Sequence, residues 1–482
     1  MSPVPSFRRR GVRGGLYRNL EKNMKYDYEL IVIGTGSAGF NAAQSAKKNG
    51  VKKICMIEKR ALGYSLCTNE GCMPSKTIIA TAERKRMIES ADALGIKATK
   101  PVVEWRRVQN RVKYLVSNTF AGERKKGIQA SGIKVMKGEA AFINQHEIQV
   151  GKKTLTAEKI VIATGSEVFV PPIGGLESAG YITSDEALFL TKLPKSLLII
   201  GGGIIAIEIG TFLAHMGVEI TIIEQAPRLL ARFDKDVSDE IAASLKKLGV
   251  KVLLNAQVES VYKTKKVKEV VVAVGKSERK INVAEVMVAT GRKAAIEGLA
   301  IENAGIKTDE RGSVVVNDYL QTNVANIYAA GDINGKVPLV YVAGMEGRVA
   351  GANVAGKKEK MDYTMVSSVI FSSPEIGTIG ITEQDAKKAK KSVVVGKVLM
   401  KDIGKAVALA EPEGFIKLIA EKKTGKILGM QVVGVQATDI MQVVIAHIYH
   451  GDTVYDILAI PYPHPTLGEA LSYAADEVVA QL

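Results

Sequence analysis

Two stretches of the chain share one pattern of hydrophobic positions. Residues 30–34 (Leu-Ile-Val-Ile-Gly) and 197–201 (Leu-Leu-Ile-Ile-Gly) are apolar runs that end in glycine. Each is followed by a glycine-rich turn, a segment with helical spacing, and a second apolar run that leads to Glu58 or Glu224. Alternation of buried strand, helix and buried strand is typical of parallel sheets, so the repeat predicts an α/β protein with two Rossmann-like nucleotide-binding domains.

Three further apolar runs predict buried strands. Residues 159–165 and 286–291 each end in Ala-Thr-Gly, and residues 326–330 lead into Gly331 and Asp332. Beyond about residue 363 the pattern changes to a mixture of strands and helices without a glycine-rich phosphate loop. This C-terminal part is predicted to be α+β.

The C-terminal part carries its own local signals. Residues 414–420 and 426–433 flank Lys-Lys-Thr-Gly and predict a hairpin, and residues 439–450 predict a helix. Thr382 with Asp385 resembles the capping box that opens a helix.

Composition and charge narrow the class of protein. The 482 residues are 46% hydrophobic and 24% charged, as in globular proteins of several domains. No apolar stretch reaches the roughly 18 residues that a membrane helix needs. The net charge of +16 raises the alternative of a nucleic-acid-binding protein or a scaffold, but most basic residues are scattered lysines without interleaved aromatics. We therefore expect neither nucleic acid nor membrane as a partner.

The N-terminal segment is set apart by its charge. Residues 1–23 hold six basic residues against Glu21 and lack the apolar core of a secretory signal. A cleaved organellar transit peptide is one interpretation. We adopt the simpler one, in which Met24 is the functional start and residues 1–24 are a basic extension outside the fold.

The first glycine turn contains Gly34, Gly36 and Gly39 in the order GxGxxG, and Glu58 ends the next strand. Glycines at these positions permit a tight turn and the close approach of a pyrophosphate to a helix N-terminus, while the acid can bind ribose hydroxyls. The turn predicts a dinucleotide site.

The second glycine turn is the GxGxxA variant, with Gly201, Gly203 and Ala206. Glu224 ends its second strand, where a carboxylate binds the 2′-hydroxyl of NAD and repels the 2′-phosphate of NADP. Arg228 follows four residues later and could weaken that preference. We expect NAD at this site.

The chain contains three cysteines, Cys55, Cys67 and Cys72. So sparse a set indicates a cytoplasmic protein without a disulfide framework. Cys55 lies within an apolar strand and is expected to be inert. Cys67 and Cys72 are spaced to form a reducible disulfide in a turn that opens a helix, whose N-terminus lowers the pKa of a thiol. Zinc is the alternative, but it needs four ligands and no second Cys or His pair lies nearby, so we expect no metal.

In its ordered motifs the chain resembles the class I pyridine nucleotide–disulfide oxidoreductases, and within them the dihydrolipoamide dehydrogenases, from about residue 26 onward. The motifs are both glycine turns, the cysteine motif that ends at Lys76, Gly331 with Asp332, and the terminal stretch from His464 to Glu469. The resemblance implies FAD at the first glycine turn, NAD at the second, and a C-terminal dimerisation domain. The implied domains are residues 25–165 and 293–362 for FAD, 166–292 for NAD, and 363–482 for the dimer interface.

The resemblance also implies residue roles. Cys72 would lie against the flavin as the charge-transfer thiol, Cys67 would exchange with substrate, and Lys76 paired with Glu208 would lie near the flavin N5. Asp332 would hold the ribityl chain. The other positions that it places at FAD are Ala140, Thr164, Gly165, Ser166, Pro338, Leu339, Val340 and Tyr341, and those that it places at the nicotinamide nucleotide are Val258 and Gly291.

His464 is the general base implied by the resemblance. It would come from the other subunit of a homodimer and be oriented by Glu469. The role suits imidazole, which titrates near neutral pH and can carry a proton between thiols.

Two departures from the family pattern stand out. Residues 63–67 (Gly-Tyr-Ser-Leu-Cys) replace the usual Gly-Gly-Thr-Cys with one extra residue, and Ser65 is the hydroxyl left to reach the FAD phosphates. Tyr341 and Val342 replace a common His-Lys pair.

These observations predict an FAD-dependent oxidoreductase that couples NAD(H) to a substrate dithiol or disulfide. The substrate that we expect is dihydrolipoamide, carried on a lipoylated protein of a 2-oxoacid dehydrogenase or related complex. An NAD(P)H-dependent reductase of another small disulfide is the first alternative. A mercuric reductase is the weaker one, because that group usually has tyrosine in place of His464 and a C-terminal cysteine pair.

Overall fold

A computed structural model describes residues 25–482, so the expectations for residues 1–24 lie outside it. The chain forms two compact units built from interleaved segments. Unit 1 contains the chain up to Leu62 with Ser131–Gly165 and Ala294–Lys360; unit 2 contains Gly63–Ala130, Ser166–Lys293 and Met361–Leu482. Residues 63–130, placed above in the first FAD segment, therefore group with unit 2, and the expected domain boundaries stay a prediction.

Unit 1 is built on a seven-stranded sheet, in which five strands are parallel and carry the first glycine turn. Its interior is apolar because isoleucines such as Ile31, Ile160 and Ile162 are fully buried between the sheet and its neighbours. The strands in spatial order are Lys134–Lys137, Ile54–Glu58, Tyr28–Ile33, Lys153–Ile162, Glu147–Val150 and Ala140–Phe142, with Ile327–Ala329 paired to Lys153–Ile162.

Two helices of unit 1, Ser37–Lys48 and Val340–Val354, pack closely on each other. A Cβ added to Gly347 would lie 2.2 Å from the Ala38 carbonyl oxygen, so only glycine allows this approach. The short helical turns of unit 1 are Ile301–Ala304 and Asp332–Asn334.

Unit 2 also contains a parallel sheet, here of five strands. Its strands in order are Lys251–Leu253, Glu219–Ile223, Ser196–Ile200, Glu285–Val288 and Ile182–Thr183. Leu197 pairs with Ile220 as Leu30 pairs with Ile54 in unit 1, which confirms the repeat predicted from the sequence. The other strands of this part are Ser166–Val168, Ala256–Lys263, Lys268–Val274, Ser277–Val283 and Arg292–Ala294.

The C-terminal part of unit 2 is an antiparallel sheet of five strands under helices. The strands in order are Ser367–Ile370, Glu375–Gly380, Ile427–Gly434, Phe415–Glu421 and Val393–Leu399. The predicted hairpin and the predicted helix, Ala437–His450, are confirmed. Thr382 is the N-cap of the helix Glu383–Lys388, since its hydroxyl accepts from the Asp385 N–H at 3.1 Å.

The remaining helices of unit 2 include the one that begins at Cys72 and the one that follows the second glycine turn. In chain order the helical segments are Leu66–Asn69, Cys72–Glu89, Ala91–Leu94, Trp105–Tyr114, Leu115–Phe120, Ala121–Ala130, Leu176–Ala179, Ser184–Ala187, Ile204–His215, Lys235–Lys247, Met400–Asp402, Gly404–Ala408, Val454–Leu458 and Ala470–Val479. Among residues 25–482, no helix combines the length and apolarity needed to cross a membrane.

Candidate active site

The first glycine turn has no room for a side chain at Gly34 but is open at Gly36. Gly34 has φ near +103°, and a Cβ there would lie 2.3 Å from the Ala163 carbonyl oxygen. A Cβ on Gly36 would instead meet nothing within 4 Å, so that face of the turn is open. The helix Ser37–Lys48 begins there, and no side chain of the described residues caps its N-terminus. Its N–H groups are thus available to an anion.

Glu58 holds the same turn from the end of its strand. Its Oε2 accepts from the Thr35 N–H at 3.0 Å and from the Thr35 hydroxyl at 2.6 Å, and its Oε1 accepts from the Arg60 N–H at 2.8 Å. The carboxylate is buried. These hydrogen bonds fix the turn, and a contact of Glu58 with a ribose stays a prediction.

Asp332 is brought to the start of the helix Ser37–Lys48. It follows Gly331, where a Cβ would lie 3.0 Å from the Ala38 Cβ. The fully buried Glu346 holds this segment, because its Oε2 accepts from the Gly331 N–H at 2.6 Å and from the Asn334 amide at 2.8 Å. Nothing in the local sequence points to Glu346, since an acid in an apolar helix gives no local sign of its partners.

Thr164 provides a test of whether unit 1 suits a dinucleotide. Its Oγ1 is shielded from solvent yet has no hydrogen-bond partner among residues 25–482. An orphaned hydroxyl of this kind costs about 1–3 kcal/mol unless a ligand satisfies it. With the open face at Gly36 and the uncapped helix, these residues fit FAD.

The other predicted FAD positions are distributed over both units. In unit 1, Ala140 begins a strand, the Gly165 carbonyl accepts from the Ala295 N–H at 3.0 Å, and the Ser37 hydroxyl donates to the Val340 carbonyl at 3.0 Å. Pro338 and Leu339 precede the helix Val340–Val354, whose first residues include Tyr341. In unit 2, the Ser166 hydroxyl accepts from Arg292 Nε at 2.9 Å.

The second glycine turn repeats the geometry of the first within unit 2. Gly201 has φ near +111°, a Cβ on Gly203 would meet nothing within 4 Å, and no described side chain caps the helix Ile204–His215, which contains Ala206. Glu224 accepts from the Gly202 N–H at 2.5 Å and from the Ala226 N–H at 2.7 Å. This turn therefore also fits a dinucleotide.

Val258 and Gly291 lie in the same unit as the second turn. Val258 is buried in the strand Ala256–Lys263, beside a break in its pairing register. Gly291 has φ near +116°, and its carbonyl accepts from the Phe169 N–H at 3.0 Å. Their contact with a nucleotide stays a prediction.

Cys67 and Cys72 are both free thiols in this structure, and they form a hydrogen bond with each other. That bond is the main cause that lowers the pKa of Cys72 to about 7, with help from the Lys76 ammonium and against burial. The same bond and burial raise the pKa of Cys67 above its ordinary value. The pair is polarised, since these contacts favour negative charge on Cys72 over Cys67.

The backbone also favours negative charge on Cys72. Cys67 lies in the short helix Leu66–Asn69, whereas Cys72 is the first residue of the helix Cys72–Glu89, where the helix dipole favours negative charge. In the segment before Cys67, Gly63 has φ near +94°. Ser65 is buried and its N–H donates to Asn69 Oδ1 at 3.0 Å.

Lys76 lies one helical turn after Cys72 and is paired with Glu208, as expected. Its Nζ donates to Glu208 Oε2 at 2.7 Å. Phe371 joins this pair: its amide N–H donates to Glu208 Oε1 at 2.9 Å, and its ring centre lies 4.4 Å from Lys76 Nζ. No local pattern links Phe371 to this pair, because the three residues come from distant parts of the chain.

His464 and Glu469 are brought together as expected. His464 Nδ1 lies 2.8 Å from Glu469 Oε2, the histidine side chain is 72% exposed, and that of Glu469 is 6% exposed. The buried Glu469 Oε1 and Tyr462 hydroxyl have no hydrogen-bond partner in the described part of the chain. Holding the ring through Nδ1 leaves Nε2 for proton transfer.

No described residues form a group of three or more His, Cys, Asp and Glu side chains that could hold a metal ion.

Comparison with known proteins identifies the family. Residues 28–347 match the pyridine nucleotide-disulphide oxidoreductases and residues 366–475 match their dimerisation domain. A mercuric reductase of Staphylococcus aureus is 33% identical over 95% of this chain and 83% of its own length. A dihydrolipoyl dehydrogenase of Bacillus subtilis is 34% identical over 94% of this chain and 96% of its own.

A solved structure, the Cu(II) complex of the HOCl-induced flavoprotein disulfide reductase RclA from Escherichia coli, superimposes with a TM-score of 0.82 at 29% identity, covering 92% of this chain and 98% of that one. The chain therefore belongs to the pyridine nucleotide-disulphide oxidoreductases, flavoproteins that contain FAD and use NAD(P), and it carries the dimerisation domain of that family.

Proposed function

We propose that Cys67 and Cys72 exchange electrons with a substrate dithiol or disulfide, and that NAD(H) is the nucleotide partner. The polarised cysteine pair is the observation that carries the proposal. A thiolate with a pKa of about 7 beside a thiol of raised pKa is ready for disulfide chemistry near neutral pH. FAD, when bound, supplies two-electron transfer between nicotinamide and the cysteine pair.

In the direction of disulfide reduction, the Cys67 sulfur attacks one sulfur of the substrate disulfide. This forms a mixed disulfide and releases the first substrate thiolate, which takes a proton. The Cys72 thiolate then attacks Cys67, so that the Cys67–Cys72 disulfide forms and the second substrate thiolate leaves. Two cysteines are oxidised and one substrate disulfide is reduced, and dithiol oxidation is the same sequence reversed.

The partner subunit's His464 is proposed as the group that moves these protons. Because the pKa of Cys67 is raised, its thiol needs a base before it can attack. The buried Glu469 carboxylate orients the ring through Nδ1. The high exposure of His464 within one chain is compatible with a role at the other subunit's cysteines.

Dihydrolipoamide is the substrate that we favour, with a lipoylated protein as its carrier. The dihydrolipoyl dehydrogenases among the relatives and the His464–Glu469 pair support this choice. Glu224 supports NAD over NADP, and NAD suits dithiol oxidation.

A mercuric reductase is the second candidate, because relatives with that name are 33% identical to this chain. Against it, the sequence holds cysteines only at 55, 67 and 72, and Cys55 is fully buried. The candidate would thus have to bind Hg(II) through the Cys67–Cys72 pair alone.

Steady-state kinetics with lipoamide, glutathione disulfide and Hg(II), each with NADH and NADPH, tests the proposal. We expect lipoamide to give the highest kcat/KM. Cys67→Ser should lose disulfide turnover by orders of magnitude, because removal of the nucleophile abolishes the covalent path. Full lipoamide activity in Cys67→Ser would refute the cysteine mechanism, whereas a preference for another substrate by about a hundredfold would refute only the choice of dihydrolipoamide.

A further inference from the structure

Arg228 lies on a loop that folds back over the second glycine turn. The Leu230 N–H donates to the Gly202 carbonyl at 3.0 Å. A Cβ on Gly202 would lie 2.7 Å from the Leu229 side chain and 2.9 Å from Glu224 Oε2. The loop that carries Arg228 therefore contacts the same glycine turn as Glu224, the acid proposed to receive the ribose 2′-hydroxyl.

The guanidinium of Arg228 is nevertheless engaged by other groups. Its Nη2 donates to the Ala231 carbonyl at 2.8 Å and to Gln384 Oε1 at 2.6 Å. Gln384 comes from the C-terminal part of unit 2, in the helix Glu383–Lys388. Arg228 could bind a 2′-phosphate, but its guanidinium is hydrogen-bonded to Gln384, a residue far away in the sequence.

Gln384 is itself held firmly. Its Nε2 donates to the Arg232 carbonyl at 2.8 Å, and its backbone N–H donates to Asp234 Oδ1 at 3.0 Å. Asp234 is buried and forms an ion pair of 2.8 Å with the buried Lys417. The Gln384 amide cannot follow Arg228 toward a nucleotide without breaking these contacts.

From these contacts we infer that Gln384 is a positioning residue for nucleotide specificity: it holds Arg228 away from the 2′-position and so preserves the preference for NAD. The inference rests on the proposed nucleotide site at the second glycine turn. Release of the guanidinium would place a mobile cation on the same loop as Glu224, where it offsets the repulsion between that carboxylate and a 2′-phosphate.

The test measures binding of 5′-AMP and 2′,5′-ADP to the FAD-loaded dimer by calorimetry, with NADPH/NADH kcat/KM ratios as the second readout. The variants are Gln384→Leu, Gln384→Glu, Arg228→Ala and the double variant Gln384→Leu with Arg228→Ala. Gln129→Leu, at an exposed glutamine in the helix Ala121–Ala130, is the matched control. Thermal melting checks that each variant is folded.

We expect Gln384→Leu to raise the affinity for 2′,5′-ADP relative to 5′-AMP by about fivefold, the scale of one exposed ion pair, and to raise the NADPH/NADH ratio similarly. Gln384→Glu, which keeps an acceptor for Arg228, should not. The gain must vanish in the double variant, because Arg228 is the group released. An unchanged ratio in folded Gln384→Leu, or a gain that survives Arg228→Ala, would overturn the inference alone. Failure of the unmodified protein to bind either ligand would overturn the proposed nucleotide site as well.

Discussion

The Lys76 ammonium lies 4.4 Å from the centre of the Phe371 ring, and Phe371 also donates its amide N–H to the carboxylate with which Lys76 is paired. One residue thus contacts both partners of the Lys76–Glu208 ion pair. Because the Lys76 charge helps to lower the pKa of Cys72 and the Glu208 charge opposes it, the position of this pair bears on the reactivity of the thiol.

Replacement of Phe371 by leucine is therefore expected to raise the pKa of Cys72. The backbone hydrogen bond to Glu208 survives, but Lys76 loses a cation–π contact of about 0.5–1 kcal/mol and becomes more mobile. The midpoint of the pH–alkylation curve of Cys72 should move upward by roughly half a pH unit. Phe371→Tyr should restore it. A merely structural role would lower thermal stability in Phe371→Leu without moving this midpoint.

Alkylation of Cys72 should itself follow the thiolate. Since the pKa of Cys72 is lowered to about 7, its fraction of thiolate rises as pH rises through that value. The rate of iodoacetamide labelling at Cys72, mapped by mass spectrometry, should then rise through a midpoint of about 7. Cys67→Ala removes the hydrogen bond that is the main cause of the lowered pKa and should shift the curve upward. A midpoint that does not move in Cys67→Ala would contradict the assignment of the two thiols.

A base shared between subunits predicts complementation in mixed dimers. Cys67→Ser and His464→Ala should each be inactive as homodimers. Exchange of their subunits should restore activity, because one site of each mixed dimer then has both cysteines and an intact histidine from the partner. The readout is lipoamide reduction by NADH after subunit mixing is verified by mass. If exchange occurs and activity stays absent, the shared site is excluded.

Lys417 is predicted to be a stability determinant. Its side chain is 1% exposed, and its Nζ lies 2.8 Å from Asp234, 2.9 Å from Asp236 and 2.8 Å from Glu383. Lys417→Ala removes the cation from the buried carboxylate of Asp234 and should cost about 3–5 kcal/mol of unfolding free energy. Lys397→Ala, which removes a more exposed lysine from the same Asp236, should cost about 1 kcal/mol or less.

Urea unfolding followed by Trp105 fluorescence measures both variants, since Trp105 is the only tryptophan. The pKa of Asp236 determines the direction in which this stability changes with pH. Hydrogen bonds and ion pairs with Lys397 and Lys417 outweigh burial, which opposes them, and lower the pKa of Asp236. Its contribution is therefore present above the unfolded pKa of about 3.9 and is lost as pH falls through the lower folded value. Equal losses of unfolding free energy in Lys417→Ala and Lys397→Ala would refute the prediction that Lys417 is a stability determinant.

Local signals in the sequence predicted much of the fold and of the candidate site. Glycine turns, apolar strands and terminal acids lie within one strand–helix–strand unit, so the positions of Gly34, Glu58, Gly201 and Glu224 follow from short-range spacing. His464 and Glu469 are five residues apart, so their pairing could also be predicted from local spacing.

Contacts between distant segments could not be predicted in this way. Phe371 meets Glu208, Gln384 meets Arg228, and Lys417 meets Asp234 only after the C-terminal sheet has packed within unit 2. Lys417 is the sharpest example, because a charged residue in a strand indicates a solvent-facing position. Its burial is understandable only from the three acids that surround it.

Besides the ribose contacts proposed for them, Glu58 and Glu224 each accept a hydrogen bond from the backbone N–H of the second residue of their own glycine turn, Thr35 or Gly202. Replacement of Glu224 by a neutral residue would admit a 2′-phosphate and at the same time release the backbone that shapes the diphosphate position. A substitution of Glu224 that changes the coenzyme preference would therefore also loosen the turn that is proposed to bind the diphosphate of either coenzyme. A substitution at Gln384, as inferred above, would instead release the charge of Arg228 while Glu224 continues to hold the turn.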